Sequence, residues 1–458
     1  MGNWHLHADQ LEDGLQYHQQ ALAITQQLND VRGQAETLDL LGLTNYYLGA
    51  MDAGTEHYAR CVQLFRQLND LSGLSASLSV MAMRGASYNL NTFSCPTVSL
   101  EMCIQEGEEA VEAARKLGWR AGEASALLYC GFALGPRGEA GRALTATLNA
   151  LRIAQEIDHV QWQGAARVVL GAIYRDLLAF PEAHEHHEEV FKIGEALNAP
   201  LLFRMVTGYL VSTCVASGDL VRAEQVLKSV HRDDVPMLSI GQRLLWCSKA
   251  ELALARDEPE QALEIVDRMI AVTADPALVI PRLWHLKGAA LNALGRKPEA
   301  QSTMMSAYEI ASSQGLLPLK WRIQLDLGRC YQSTGHHEQA DDSFAGAQET
   351  VNLMANSLSD DVLRENFLRQ ANERVQQYFR PSPRRTAKRA FDGLTGRERE
   401  IAMLIAEGNS NRAIADALIL SERTVAKHVE NILSKLDFSS RAQIAAWTVE
   451  RGLRDRKA

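Results

Sequence analysis

The sequence lacks the features that would place a chain in a membrane or outside the cell. It has no apolar run of membrane-spanning length, and its N-terminus has no charged start followed by an apolar core. The seven cysteines are scattered and never stand at zinc-binding spacing, which favours reduced thiols in a cytosol. We therefore expect a cytoplasmic protein with no membrane partner.

Signatures of catalysis are missing as well. No Gly-x-x-x-x-Gly-Lys-Ser/Thr loop is present to hold phosphates, and no glycine-flanked serine marks a nucleophile elbow. One segment, His184-Glu185-His186-His187-Glu188, has the composition of a metal site. The residue four positions beyond His184 is a glutamate rather than a second histidine, so a solvated helix face explains the segment better. We predict no enzyme activity, no metal and no cofactor.

The charge of the chain is unevenly distributed. The whole sequence has 47 basic and 56 acidic residues, a net charge of −9. From Arg380 to Ala458 there are 16 basic against 10 acidic residues, or +6, which leaves 31 against 46, or −15, for the rest. A basic C-terminal segment on an acidic body is typical of localised nucleic-acid binding.

The first 380 or so residues are internally repetitive. Gln27-Leu28-Asn29-Asp30 returns forty residues later as Gln67-Leu68-Asn69-Asp70. Small residues continue this register at intervals of 38 to 40, namely Ala143, Ala183, Ala223, Ala262, Ala300 and Ala340. Gly54 continues the register upstream. Twelve residues before most register positions stands a glycine, as at Gly42, Gly131, Gly171, Gly288 and Gly328. A fixed period of this length indicates a solenoid of repeated units.

Two amphipathic helices alternate within each period, and no stretch has the pattern of a strand. Short polar turns such as Gly218-Asp219 and Gly295–Pro298 join them, and the small residues allow the paired helices to approach closely. We expect about nine units, beginning with a helix from Asp9 to Leu28 and interrupted by a longer loop between Tyr88 and Leu100.

The pattern Leu170-Gly171-Ala172-Ile173-Tyr174, followed by an alanine in the second helix, resembles tetratricopeptide repeats. The period is nearer forty than the usual 34 of that family, so we describe residues 1–379 as a tetratricopeptide-like helical solenoid. Such a solenoid has a long concave surface that is available to a ligand or a docked protein. Residues 380–390 contain two prolines among basic and polar residues, and we predict a linker there.

The C-terminal segment contains three helix starts in close succession. Thr395 with Glu398 forms a capping box, and Ser410 and Ser421 stand at the starts of two further helices. Gly408 provides a stop for the first helix.

The third of these helices has two distinct faces. One face is apolar and should turn into a small core; it comprises Val425, Val429, Ile432, Leu433 and Leu436. The other should point outward; it comprises Thr424, Lys427, His428, Asn431 and Lys435. A capped helix with an apolar back and hydrogen-bond donors on its front fits the DNA major groove.

These residues resemble the LuxR-type domain of bacterial transcription regulators, also called GerE-type or FixJ-type. Among the matching positions are Leu394, Thr395, Arg397, Glu398, Glu400, Gly408, Ser410, Asn411, Ile414, Ala415, Leu418, Ser421, Thr424, Val425, His428, Ile432, Lys435, Leu436 and Arg441. The resemblance implies a four-helix domain over residues 391–458, a recognition helix beginning near Ser421, and a last helix, Ser440 to Gly452, used for dimer contacts. Ala426 stands where the family commonly has a basic residue, and Glu430 stands where some members have a cation that reads a base.

We therefore predict an all-α protein in which a solenoid is followed by a helix-turn-helix. The predicted function is transcription regulation, with double-stranded DNA as partner, a homodimer on DNA, RNA polymerase as a further partner, and an unknown small molecule or protein bound by the repeats. The predicted DNA contacts are Ser410, Asn411, Arg412, Ser421, Arg423, Thr424, Ala426, Lys427, His428, Glu430, Asn431 and Lys435. The alternative is a docking scaffold whose C-terminal domain does not read DNA sequence.

Overall fold

The computed structural model describes residues 10–93, 99–197, 200–230, 235–273, 275–378 and 393–450. Throughout these ranges the regular secondary structure is helical, which confirms the all-α prediction. The chain forms two compact units, Met1–Tyr378 and Phe379–Ala458. The predicted linker, 380–390, lies outside the described residues.

The first unit is a series of helices, and nearly all of them pack on the next helix along the chain. A 3₁₀ turn, Met83–Gly85, follows the fourth. The helices are α1 (Leu11–Gln27), α2 (Val31–Tyr47), α3 (Met51–Gln67), α4 (Leu71–Ala82), α5 (Ser87–Thr92), α6 (Leu100–Leu117), α7 (Arg120–Leu134), α8 (Ala140–Glu156), α9 (Val160–Asp176), α10 (Phe180–Leu197), α11 (Pro200–Ser217), α12 (Leu220–Val230), α13 (Ile240–Ala255), α14 (Pro259–Ala271), α15 (Pro281–Ala293), α16 (Lys297–Ser313), α17 (Leu317–Ser333), α18 (His337–Asn356) and α19 (Asp361–Gln376).

The glycine and alanine register is explained by close helix packing. A Cβ atom on each of the five register glycines would lie 2.1 to 2.5 Å from the side chain sixteen residues later. These pairs are Gly42 with Tyr58, Gly131 with Thr147, Gly171 with His187, Gly288 with Met304, and Gly328 with Phe344. The six alanines of the register are at most 1% exposed. The prediction that small residues permit a close approach of paired helices is confirmed.

The duplicated Gln-Leu-Asn-Asp sequence forms the turn between two helices. Asn29 and Asn69 adopt left-handed backbone conformations, with φ of 53° and 52°, which asparagine tolerates better than most residues. The following Asp30 and Asp70 cap α2 and α4, and each accepts a hydrogen bond at 2.9 Å from the backbone N–H three residues later. The duplicated sequence therefore forms the same local structure twice, a tight left-handed turn followed by a capped helix.

The predicted loop between Tyr88 and Leu100 is wrong for its first part, because Ser87–Thr92 forms α5. This short helix packs on α13 and α15. The Thr92 carbonyl accepts a hydrogen bond from Arg243 Nε at 2.7 Å. Asp9, the predicted start of the first helix, lies outside the described residues.

The late repeats contact the middle of the same unit. Arg322 of α17 donates to Asp176 at the end of α9, with an Nη1 to Oδ1 distance of 3.1 Å. Gln370 of α19 donates to the Leu178 carbonyl at 3.1 Å, and Ser357 donates to the Gly138 carbonyl at 3.2 Å. These contacts join parts of the solenoid that are far apart in sequence, and Asp176 and Arg322 line a cavity there.

The predicted solvated face at His184–Glu188 is wrong for His187, which is fully buried. Its Nδ1 lies 2.9 Å from Thr213 Oγ1, and its Nε2 lies 3.2 Å from the Val168 carbonyl. Burial lowers the pKa of His187 to about 3, so the ring is a neutral core residue. Among the described residues there is no group of three metal-ligating side chains, and no described helix is long and apolar enough to cross a membrane.

The second unit has a core of its own. Its helices in the described range are α20 (Gly396–Ala406), α21 (Asn411–Leu418), α22 (Glu422–Leu436) and α23 (Arg441–Glu450). Leu394, Ile401, Ile414, Val425, Ile432 and Ile444 are all inaccessible to solvent and pack together. A shared core of this kind fixes the angles at which the four helices meet.

A candidate nucleic-acid interface

The helices of the C-terminal unit begin where the hydroxyl residues predict. Thr395 and Glu398 make both hydrogen bonds of a capping box, at 3.3 and 2.7 Å. Ser410 Oγ accepts from Ala413 N–H at 3.2 Å, and Ser421 Oγ accepts from Thr424 N–H at 3.1 Å. These four predicted roles are confirmed.

A tight turn joins α21 to α22. Ile419 adopts a left-handed conformation, with φ of 56°, and the Leu420 N–H donates to the Ala415 carbonyl at 2.9 Å. Arg397 of α20 donates to the Leu418 carbonyl at 2.6 Å and so holds the end of α21. The two helices and this turn form a helix-turn-helix.

The predicted apolar back of α22 is confirmed. Val425 and Ile432 are fully buried, and Val429, Leu433 and Leu436 pack against the same core while partly buried. The opposite side of the helix is therefore the one that remains available to a partner.

The front of α22 is polar and mostly exposed. Arg423 and Thr424 are exposed, and Lys427 and Glu430 form an ion pair at 3.0 Å with side chains that are 71% and 65% exposed. Ala426, His428 and Asn431 are half-buried beside them. His428 Nδ1 is buried and has no hydrogen-bond partner among the described residues. Arg412, on α21, is exposed.

Lys435 differs from the prediction that it simply faces outward. Its Nζ lies 2.6 and 2.7 Å from the two carboxylate oxygens of Glu398, a side chain that is only 3% exposed. Burial tends to raise the pKa of Glu398, but the hydrogen bonds from Lys435 and Thr395 outweigh it and the pKa is lowered. Lys435 thus neutralises the buried carboxylate that caps α20.

Asn411 is likewise engaged inside the unit. Its side-chain oxygen accepts a hydrogen bond at 2.7 Å from Arg441, which also donates to the Asn409 carbonyl at 2.5 Å. Burial lowers the pKa of Arg441, and these oxygens compensate its charge. The contacts tie the start of α21 to the start of α23.

Ser434 is not among the predicted DNA contacts, although it belongs to the exposed front of α22. It is exposed on α22, seven residues after Lys427, and so lies on the same face of the helix. The signal was present in the sequence, because two full turns separate the positions.

A helix-turn-helix domain is the class of structure that this arrangement defines. Residues 392–448 match the family model described as bacterial regulatory proteins, luxR family. The C-terminal unit is therefore a LuxR-type helix-turn-helix domain.

Transcriptional regulatory proteins of bacteria match a short part of this chain. The transcriptional regulatory protein LiaR of Bacillus subtilis is 50% identical over 56 residues, which are 12% of this chain and 26% of LiaR. An uncharacterized transcriptional regulatory protein of the same organism, YhcZ, is 44% identical over 66 residues, 14% of this chain and 31% of YhcZ. The chain thus spans about a third or less of the relatives it matches.

The repeats have a solved counterpart in fold. A Rap protein, crystallised in complex with Competence and Sporulation Factor, superposes with a TM-score of 0.57 over 77% of this chain and 98% of the Rap chain. The sequences are 12% identical, so the likeness concerns the fold alone. It agrees with a tetratricopeptide-like helical solenoid.

Proposed function

We propose that this protein is a cytoplasmic transcription regulator whose C-terminal domain, residues 391–458, binds promoter DNA. The observation that carries the proposal is the front of α22, where a capped N-terminus and exposed Arg423, Thr424 and Lys427 stand opposite a buried apolar back. Side chains in these positions reach base edges when such a helix enters the major groove. Ser410, Arg412 and Ser421 lie near two helix N-termini, and we propose that they contact phosphates.

The domain is proposed to bind DNA as a homodimer through α23. Ala442, Ala446 and Val449 are exposed on this helix at spacings of four and three, so they share one face. A small apolar face of this kind suits a helix-to-helix contact between two copies, and a dimer matches paired half-sites on DNA. RNA polymerase is the proposed partner at the promoter.

The solenoid, residues 1–379, is proposed to control the domain by binding a small molecule or a protein. Support comes from the cavity enclosed by its middle and late repeats and from the fold it shares with the Rap protein, which was crystallised with a bound factor. A ligand shifts an equilibrium only through a difference in affinity between two states. Control therefore requires that the ligand favour one arrangement of the repeats.

Selection of duplex DNA from a random pool by the full chain tests the proposal. We expect a recurrent sequence, bound in fluorescence anisotropy with at least about 10³-fold preference over unrelated duplex. Affinity should fall steeply with salt, because phosphate contacts release counterions. If no sequence is enriched and the chain binds all duplexes equally weakly, the solenoid is a docking scaffold and the C-terminal domain is not a sequence reader.

A further inference from the structure

A cavity of about 540 Å³ lies between the middle and late repeats of the solenoid. Its volume falls within the range of about 300 to 1,000 Å³ that small ligands occupy. Leu254 of α13, Leu286 of α15 and Leu319 of α17 provide an apolar wall. Seven charged side chains also line the cavity.

The charged lining carries a surplus of positive charge. Three carboxylates line the cavity, Asp176, Glu251 and Asp326. They face four guanidinium groups, those of Arg175, Arg282, Arg322 and Arg329. The cavity lining therefore has a net charge of +1, although the solenoid as a whole carries −15. Because its charge is positive, the cavity favours an anion.

Arg322 has hydrogen-bonding capacity to spare. Its Nη1 donates to Asp176 Oδ1 at 3.1 Å and to the Pro318 carbonyl at 2.9 Å. Arg175 Nη2 donates to the same Asp176 oxygen at 3.4 Å. One carboxylate oxygen therefore serves two guanidinium groups, while Nε and Nη2 of Arg322 donate to no other described residue.

The lowered pKa of Arg322 agrees with its incomplete pairing to Asp176. Burial lowers the pKa of Arg322 to about 10, and Arg175, Arg282 and Arg374 add to the effect, while Asp176 opposes it. The Arg322 side chain is 24% exposed, so the cation is held in a poorly solvated place. A second anion beside it would relieve the repulsion among the arginines.

We infer that the cavity binds the carboxylate of a ligand with an apolar body, the acid group pairing with Arg322 and Arg175 and the body resting on the leucine wall. A single surplus charge matches one carboxylate better than a doubly charged phosphate. The planar fork of an arginine also suits a carboxylate. The inference rests on the proposed control by the solenoid and names the chemistry of its ligand.

Calorimetric titration of the full chain without DNA tests this ligand chemistry. Phenylacetate and its neutral amide, phenylacetamide, represent a small organic acid. Acetyl-Leu-Leu-Phe with a free carboxylate, and the same peptide with a C-terminal amide, represent a peptide end. We expect the acid of at least one pair to bind about tenfold or more tightly than its amide, and the pair that does so identifies the source.

Three variants test whether the preference for the acid depends on the cavity. Arg322→Gln should abolish the preference for the acid, whereas Asp176→Asn should strengthen acid binding about threefold, because it removes the competing carboxylate. Arg296→Gln, which alters an arginine paired with Glu299 outside the cavity, should change nothing.

Two results would overturn the inference: equal binding of acid and amide in both pairs, or a preference that persists in folded Arg322→Gln. If Arg322→Gln does not fold, unchanged or weaker acid binding by Asp176→Asn overturns it instead. DNA binding of the same preparations is measured separately, so a failure of DNA recognition is distinguished from a failure of the cavity.

Discussion

Ile419 sits in the turn of the helix-turn-helix with φ of 56° and a side chain that is 93% exposed. A left-handed conformation is unfavourable for a β-branched residue and tolerable for asparagine. Because the exposed isoleucine contributes little burial, Ile419→Asn should stabilise the C-terminal unit by about 1 kcal/mol. Urea denaturation of a fragment from Ala387 to Ala458 measures this. Ile419→Val, which keeps the strain, should leave the midpoint unchanged, and a destabilised Ile419→Asn would contradict the explanation.

Lys435 and Glu398 form the most buried ion pair of the C-terminal unit among its described residues. Removing the ammonium leaves a carboxylate that is 3% exposed with fewer hydrogen bonds. Lys435→Gln should therefore cost about 1 to 2 kcal/mol of stability, discounted for the exposed part of the lysine. Lys427→Gln, which breaks the exposed pair with Glu430 on the same helix, is the control and should stay within about 0.5 kcal/mol.

The same pair gives a dependence on pH with a definite sign. The pKa of Glu398 is lower in the folded unit than the ordinary value of 4.5, so its stabilising effect is fully present above pH 4.5 and is lost as the pH falls through the lowered value. The stability difference between wild type and Lys435→Gln should shrink over that acid range. A difference that stays constant down to full protonation would show that Lys435 acts without Glu398.

At the scale of elements, the two sides of α22 have different roles: we expect the exposed side to contact DNA, and the apolar side stabilises the fold. Lys427→Ala should cost about 1 to 3 kcal/mol of DNA affinity and relax preference at one position if the lysine contacts a base edge. Selection from a random pool with wild type and variant measures both effects. A uniform loss of affinity with unchanged selected sequences would instead place Lys427 on a phosphate.

Val429→Asp should unfold the unit, because Val429 packs on its core.

The helix α9 offers a matched pair of glycines. A Cβ at Gly171 would lie 2.3 Å from Nε2 of His187, whose ring is buried and hydrogen-bonded on both sides. Gly171→Ala should therefore destabilise the solenoid by about 1 to 3 kcal/mol. A Cβ at Gly164 would meet only Val190, at 3.9 Å, so Gly164→Ala should stabilise it by about 0.5 to 1 kcal/mol. Chemical denaturation of the full chain distinguishes them, and equal effects would refute the close-packing explanation.

At the scale of the whole molecule, the two units carry opposite charge. The 387–458 fragment should fold alone, because it has its own core and caps. We expect it to bind the selected DNA more tightly than the full chain at low salt, since the −15 charge of the repeats repels phosphates. The difference should close as salt screens that repulsion. Anisotropy titrations at matched protein concentration measure it, and equal affinities at every salt concentration would show that the repeats exert no electrostatic restraint.

Local patterns made much of this structure predictable. The caps at Thr395, Ser410 and Ser421 and the apolar stripe of α22 depend only on residues a few positions apart, so periodicity and hydrogen-bonding capacity suffice to find them. The repeat register was visible for the same reason, because each unit poses the same packing problem. The loop predicted after Tyr88 was partly wrong because α5 is stabilised by distant helices, which override a local turn composition.

The sequence by itself determined the helices, their order, the repeat and the class of the C-terminal domain, since these follow from spacing along one chain. Only the tertiary structure decided which distant side chains meet. Lys435 reaches Glu398 across 37 residues and Arg322 reaches Asp176 across 146. The cationic cavity is invisible in an acidic sequence, because a net charge is a sum over residues and a site depends on where folding places each one.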